Sequence, residues 1–214
     1  MSDTFPRNLK GVLPALLLLL AASAFPPGCK TNPPKPALDA ATESLLDANG
    51  DTALRDAVRN GGKDPFAVLV AFRKDVFLGF SAMIEQSPYT LLNEFGNAAI
   101  LLVRPNEVVP LLKTPSVRRA AWVGPQGRLA RLDPSLEYDL LDRFGKGTEG
   151  AEVQILARFR SVPEKKEEAL VQEAGFKILS RVGPNLILSG PISRIPKLLD
   201  IDWIVYLEKG TGLL

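Results

Sequence analysis

The sequence predicts an α+β protein in which one small unit is written twice. Three observations carry this: apolar and polar residues alternate in short runs, charged amphipathic stretches close on glycine, and the pattern recurs 87 residues further on. Val68-Leu69-Val70-Ala71-Phe72-Arg73 reads like Ile155-Leu156-Ala157-Arg158-Phe159-Arg160, and at the same spacing Gly96 meets Gly183 and Ile100 meets Ile187. Beyond that, a spacing of 86 matches Pro105 with Pro191, Pro110 with Pro196, Leu112 with Leu198 and Gly124 with Gly210, which implies a one-residue gap between the copies. Upstream, Asp51-Thr52-Ala53-Leu54 pairs with Asp133-Pro134-Ser135-Leu136, each opening a helical segment that ends near glycine.

In chain order, Arg7 and Lys10 precede an apolar run from Gly11 to Phe25. That run falls short of the roughly twenty residues a membrane span needs, and its basic start and small-residue end describe a secretory signal. Ala22-Ser23-Ala24 fits ordinary signal cleavage, which would leave a secreted or periplasmic protein. The competing site, Phe25-Pro26-Pro27-Gly28-Cys29, resembles a bacterial lipobox, with cleavage after Gly28 and lipidation of Cys29; Pro26 departs from the leucine usual there. The resemblance implies a signal peptide over 1–28 and a lipid anchor in the cell envelope. Lys30, where some bacteria use aspartate for inner-membrane retention, points by the same resemblance to the outer membrane. Residues 29–40, rich in proline, form an extended spacer.

The first module spans 41–124 and carries helical sequence over Ala41–Asn60. Strands are expected near Ala67–Arg73, Tyr89–Glu94, Asn97–Val103 and Val117–Val123, with helices near Val76–Gln86 and Asn106–Lys113. A linker with a helix covers 125–150, and the second module spans 151–214. There Val153, Ile155, Ala157 and Phe159 alternate with polar residues as in a half-buried strand. Pro163 suits a first helical turn, and Glu164–Ala174 is a helix closed by Gly175. Phe176–Val182 is a second strand and Gly183-Pro184-Asn185 a turn. Leu186–Ser189, a short helix over Ile192–Leu199 and the strand Trp203–Glu208 follow. The order in both copies is βαββαβ, so the predicted class is two tandem ferredoxin-like modules. Helices cover one sheet face in that arrangement, and Leu156, Ile204 and Tyr206 are expected to point away from them. The other face must meet the sister module, the segment around Ala41–Asn60, or a partner.

The strand VQILARFR, a helix ending in glycine, the Gly-Pro-Asn turn and the closing LLDIDWIVYLEKG resemble the propeptide-like inhibitor domains of subtilisin-type proteases. The resemblance covers 133–210 well and 51–124 less well. It implies that the open sheet face docks on a protease and that the C-terminal segment enters the substrate cleft. By position this makes Glu208, Lys209, Gly210, Thr211, Gly212, Leu213 and Leu214 the candidate inhibitory tail. No protease domain follows, so the expectation is inhibition in trans. Against it stand a general protein-interaction role and a small-ligand-sensing pair of domains, since this fold serves unrelated functions.

The 214 residues include no histidine and one cysteine, which excludes imidazole-based catalysis, internal disulfides and cysteine-rich metal sites. No enzymatic activity and no cofactor are expected. Lys and Arg number 26 against 24 Asp and Glu, too balanced for nucleic-acid binding. Asp47-Ala48-Asn49-Gly50-Asp51 begins like a calcium loop, but Thr52 and Val58 occupy the places of the required glycine and glutamate, so Asp51 reads as a helix cap. Phe72, Phe159 and Trp203 read as core rather than RNA-stacking residues. Lys165-Lys166-Glu167-Glu168 reads as a solvated helix face, and Arg118-Arg119 as a basic pair able to meet anionic lipid. Gly145-Lys146-Gly147-Thr148 lacks the rest of a phosphate loop and reads as a flexible linker. The expected partners are therefore a membrane, reached through the anchor, and another envelope or secreted protein.

Overall fold

A computed structural model describes residues 38–73 and 87–210. Gly28, Cys29, the expected helix Val76–Gln86 and Thr211, Gly212, Leu213 and Leu214 lie outside the described residues. Two helices, α1 (Ala40–Asn49) and α2 (Thr52–Asn60), lead into β1 (Phe66–Phe72), β2 (Thr90–Phe95), β3 (Ala98–Val103), α3 (Pro105–Lys113) and β4 (Val117–Gly124). A 3-10 turn over Gln126–Arg131 and α4 (Pro134–Lys146) lead into β5 (Glu152–Phe159), α5 (Lys165–Glu173), β6 (Lys177–Val182) and β7 (Asn185–Pro191). A second 3-10 turn, Ile192–Arg194, then α6 (Ile195–Leu199) and β8 (Ile204–Lys209) complete the chain. The expected helix over Ile192–Leu199 is thus split in two, and Pro163 sits buried ahead of α5 rather than within it.

The strands form two antiparallel sheets ordered β2-β3-β1-β4 and β6-β7-β5-β8. Their registers repeat at 87 residues: Val68 faces Leu101 as Ile155 faces Leu188, and Leu69 faces Ala121 as Leu156 faces Glu208. The register shift between Leu91 and Asn93 recurs between Ile178 and Ser180, and that between Ala71 and Phe72 recurs between Arg158 and Phe159. Buried positions keep the same spacing through the second helix of each unit. Pro105, Val108, Leu111 and Leu112 are buried at the places of Ile192, Ile195, Leu198 and Leu199. The one-residue gap inferred from proline and glycine matches is therefore absent. Each unit also begins with its own helix. Gly50 bridges Ala120 and Leu132 bridges Leu207, so α2 and α4 leave the last strand of their units from equivalent points. Both open on an aspartate cap, Asp51 or Asp133, and close on a left-handed glycine, Gly61 or Gly147.

The halves differ in what covers the sheet. On the helix side of the first sheet, Val68, Val70, Phe72, Ala99 and Leu101 pack with Leu46, Leu54, Val108 and Leu111. Its other face, Ala67, Leu69, Ala71, Ala98 and Ile100, is buried under Leu136, Leu140, Leu141 and Phe144 of α4, which also join the core of the second unit. The segment 125–150, expected as a linker with a helix, thus supplies in α4 a helix shared between the modules, because its apolar side chains serve two cores. The modules do not meet sheet to sheet.

The basic pair and the glycine run are also reassigned. Arg118 donates to the Gly145 carbonyl at 2.8 Å, and Asn97 Nδ2 to the same oxygen at 3.0 Å. Arg119 donates to the Phe144 carbonyl and, through both terminal nitrogens, to Glu149. The arginines thus hold the C-terminus of α4, where cations meet the negative end of the helix, and do not form a free lipid-facing pair. Gly145 lies inside that helix and is buried, and a Cβ there would run into the Asn97 side chain, so it is a packing position rather than flexible linker.

Ile204 is buried on the helix side, contrary to expectation, because the register shift at Arg158/Phe159 changes the alternation and sets it opposite Phe159. Trp203 is 45% exposed, since the strand begins one residue later and Ile204 takes the inward place. Leu156 and Tyr206 point away from the helices as expected, and Phe72 and Phe159 are core residues.

Candidate functional site

Two features stand out: the second sheet's outer face and a cleft between the modules. The outer face carries Gln154, Leu156 and Arg158 from β5, Ile187 and Ser189 from β7, and Tyr206 and Glu208 from β8. These correspond in register to Ala67, Leu69, Ala71, Ile100, Leu102, Arg119 and Ala121, most of them apolar and lying on the face that α4 covers. No described element packs on the second face. Its apolar members Leu156, Ile187 and Tyr206 are half-buried among polar neighbours, while Leu179 and Val182 on the edge strand β6 are 51% and 66% exposed. Arg158 and Glu208 pair across the strands at 3.2 Å, an exposed contact of small energetic weight.

Of the candidate tail, Glu208 and Lys209 belong to β8, and Lys209 pairs with Asp139 of α4 at 2.6 Å. The Gly210 amide donates to the Gln154 carbonyl at 2.8 Å. A Cβ on Gly210 would lie 3.0 Å from the Gln154 backbone, so glycine permits this close approach. Asp51 is the helix cap that the sequence indicated: its Oδ1 accepts from the Leu54 amide at 2.7 Å.

The cleft, of about 540 Å³, lies where the α1–α2 junction and β4 of the first unit face α4 and the Ser193–Asp200 region of the second. Nothing in the sequence pointed to it, because its walls come from segments about 70–140 positions apart. Its floor includes Leu69, Ala120, Trp122, Leu140 and Phe144, and its charged groups are Asp51, Arg119, Glu149, Arg194, Lys197 and Asp200. Most of these charges are already engaged. Arg119 pairs with Glu149 and lies 4.2 Å over the Phe144 ring, while Asp200 pairs with Arg128. Among the described residues the buried Nε of Arg119 finds no acceptor. Asp51 Oδ1 accepts from the Trp122 amide at 3.2 Å as well as from Leu54. Desolvation by the neighbouring cleft walls pushes the Asp51 carboxyl upward despite those bonds, although the residue is exposed at the surface.

Glu149 titrates the opposite way. Burial alone would raise it, but hydrogen bonding and the charge of Arg119 outweigh burial and hold the carboxyl below its ordinary value. A depressed carboxylate adds stability above its unfolded value, near pH 4.3, and that stability is lost as pH falls through the lower folded value. Glu149→Gln should therefore unfold at lower denaturant concentration than wild type at pH 7, the two converging as pH falls below about 4. Parallel denaturant titrations at pH 7 and pH 3 check this.

Among the described residues no group of three or more acidic or cysteine side chains is placed to hold a metal ion, and no helix is long and apolar enough to cross a membrane. Comparison with protein-family models, with curated proteins and with solved structures finds no match for this chain.

Proposed function

We propose that the chain is an exported, lipid-anchored envelope protein without enzymatic activity that binds another protein through the outer face of its second sheet. Each unit is taken as ferredoxin-like, a reading supported by the strand order β6-β7-β5-β8 with α5 and α6 as its two crossovers. The observation that carries the binding role is the contrast between two faces of one register. The first is apolar and covered by α4, whereas the second mixes half-buried Leu156, Ile187 and Tyr206 with polar residues, and no described element covers it. Interfaces of non-obligate complexes have this mixed character, with aromatic and aliphatic anchors set in a polar surround.

The test is a photo-reactive residue at Ile187 in cells, with Val162, exposed elsewhere on the same module, as control. A defined protein adduct from 187 and none from 162 is expected; equal yields from both sites, or none from either, refute the role. The anchor is tested apart. Cys29→Ser should move the protein from the membrane fraction, where outer-membrane fractions should hold the wild type, into the soluble fraction. A wild type already soluble would refute lipidation.

A second reading, inhibition of a subtilisin-type protease in trans, is favoured by one feature: β8 is an outer strand of its sheet and leads directly into 210–214. An extended segment there can add to a protease cleft through main-chain hydrogen bonds. The full chain should then slow a subtilisin-type protease at about micromolar concentration, and deletion of 211–214 should weaken the effect.

A further inference from the structure

The cleft between the modules is more specific than a gap in packing. Its volume, about 540 Å³, falls among those of small-molecule sites, and it combines an apolar floor with a few polar groups on the walls. Two of its ion pairs are internal, Arg119 with Glu149 and Arg128 with Asp200. Three charged positions remain. Asp51 Oδ1 accepts from both the Leu54 and Trp122 amides, and among the described residues no side chain donates to Oδ2. Across the cleft Arg194 and Lys197, one helical turn apart, have no hydrogen-bond or ion-pair partner among the described residues. Lys197 is near enough for its charge to act on Asp51 without pairing to it.

A free carboxylate oxygen on one wall and two free cations on the other complement a ligand that carries both signs. We propose that the cleft binds a small zwitterion of amino-acid type, with its ammonium on Asp51 Oδ2, its carboxylate on Arg194 and Lys197, and an apolar side chain against Trp122. The Asp51 carboxyl, pushed upward by desolvation, lacks a cation at contact distance, and a ligand ammonium supplies one. The two modules contribute opposite halves of the site, so its occupation would tie them together. The proposal is independent of the sheet face and survives or fails without it.

Trp122 lies in the cleft, so its fluorescence reports binding in the full chain once Trp203, the other tryptophan, is replaced by phenylalanine. The probes are L-phenylalanine, L-leucine and L-methionine, with 3-phenylpropionate lacking the ammonium and phenethylamine lacking the carboxylate. At least one amino acid should give a saturable change below about 1 mM, and each half-molecule should bind about tenfold more weakly or worse. Asp51→Asn preserves the helix cap, because asparagine caps as well as aspartate. It should weaken the amino acid about tenfold and leave 3-phenylpropionate unchanged, whereas Arg194→Gln with Lys197→Gln should weaken 3-phenylpropionate and leave phenethylamine unchanged. Melting curves for each variant confirm that it is folded. The proposal is overturned if no amino acid in the panel binds at about 10 mM, if the half-molecules bind as tightly, or if Asp51→Asn has no effect.

Discussion

Replacement of Leu141 by alanine is expected to lower the stability of the whole chain by about 3 kcal/mol, within the range of roughly 2–5 for large-to-small changes in a core. Leu141 is fully buried in α4 and belongs to a cluster that runs from Ala67, Leu69 and Ile100 of the first sheet to Ile155, Leu198 and Leu207 of the second unit. A cavity there removes contacts from both units at once. The denaturant midpoint should fall in a single transition, followed in parallel by circular dichroism and by Trp122 fluorescence in a Trp203→Phe background. Tyr138→Ala, on the same helix but 45% exposed, should cost about 1 kcal/mol or less, including its edge contact with Phe95. Two separate transitions, with only one displaced by Leu141→Ala, would mean that α4 does not couple the modules. The same reasoning makes a fragment of 51–124 sticky in isolation, since Ala67, Leu69, Ala71, Ala98 and Ile100 would lose their cover.

Arg131→Met is expected to cost about 2 kcal/mol for a different reason. The guanidinium sits in the turn between the modules and donates to three backbone carbonyls of the α6–β8 connection: Leu199, Ile201 at 3.3 Å and Ile204 at 2.7 Å. Burial and the neighbouring Arg128 lower its pKa, but an arginine so placed stays charged at neutral pH. Methionine keeps much of the stem and removes this donor from the Leu199 and Ile204 carbonyls, whereas Ile201 still accepts from the Ile204 amide, and partly buried carbonyls that lose a donor are costly. Lysine should rescue little, because a point ammonium cannot span the carbonyls that the planar fork reaches. Thermal melts of the three proteins decide the matter. A lysine variant as stable as wild type would reduce the role of Arg131 to charge.

β5 was legible because alternation survives in it, with Val153, Ile155, Ala157 and Phe159 on one face, whereas β1 and β3 of the first copy showed as short continuous apolar runs. The supposed gap shows what misleads. Pro105, Pro110 and Gly124 find prolines and a glycine 86 positions on, yet identity of residue type does not fix the register, which buried positions such as Leu111 and Leu198 set at 87. The importance of α4 was present in the sequence as Leu136, Leu140, Leu141 and Phe144, a stripe wider than one core requires. A position between the modules made it look like a connector. Trp203 and Ile204 exchanged places because a β-bulge shifts alternation by one, and no local pattern announces a bulge. The clamp of Asn97, Arg118 and Arg119 and the walls of the cleft are tertiary, joining residues that only the folded chain brings together.

The unequal sheet faces also differ in what each can receive. Residues that let the first unit receive a following helix are absent from the second: Ala67, Ala71 and Ala98 give way to Gln154, Arg158 and Asn185, and the clamp positions become Pro184, Val205 and Tyr206. The second unit thus lacks the socket that α4 fills on the first: its outer face mixes polar residues with half-buried Leu156, Ile187 and Tyr206 instead of offering a continuous apolar bed. Restoring those six positions to their counterparts would write a second socket of the kind that receives α4.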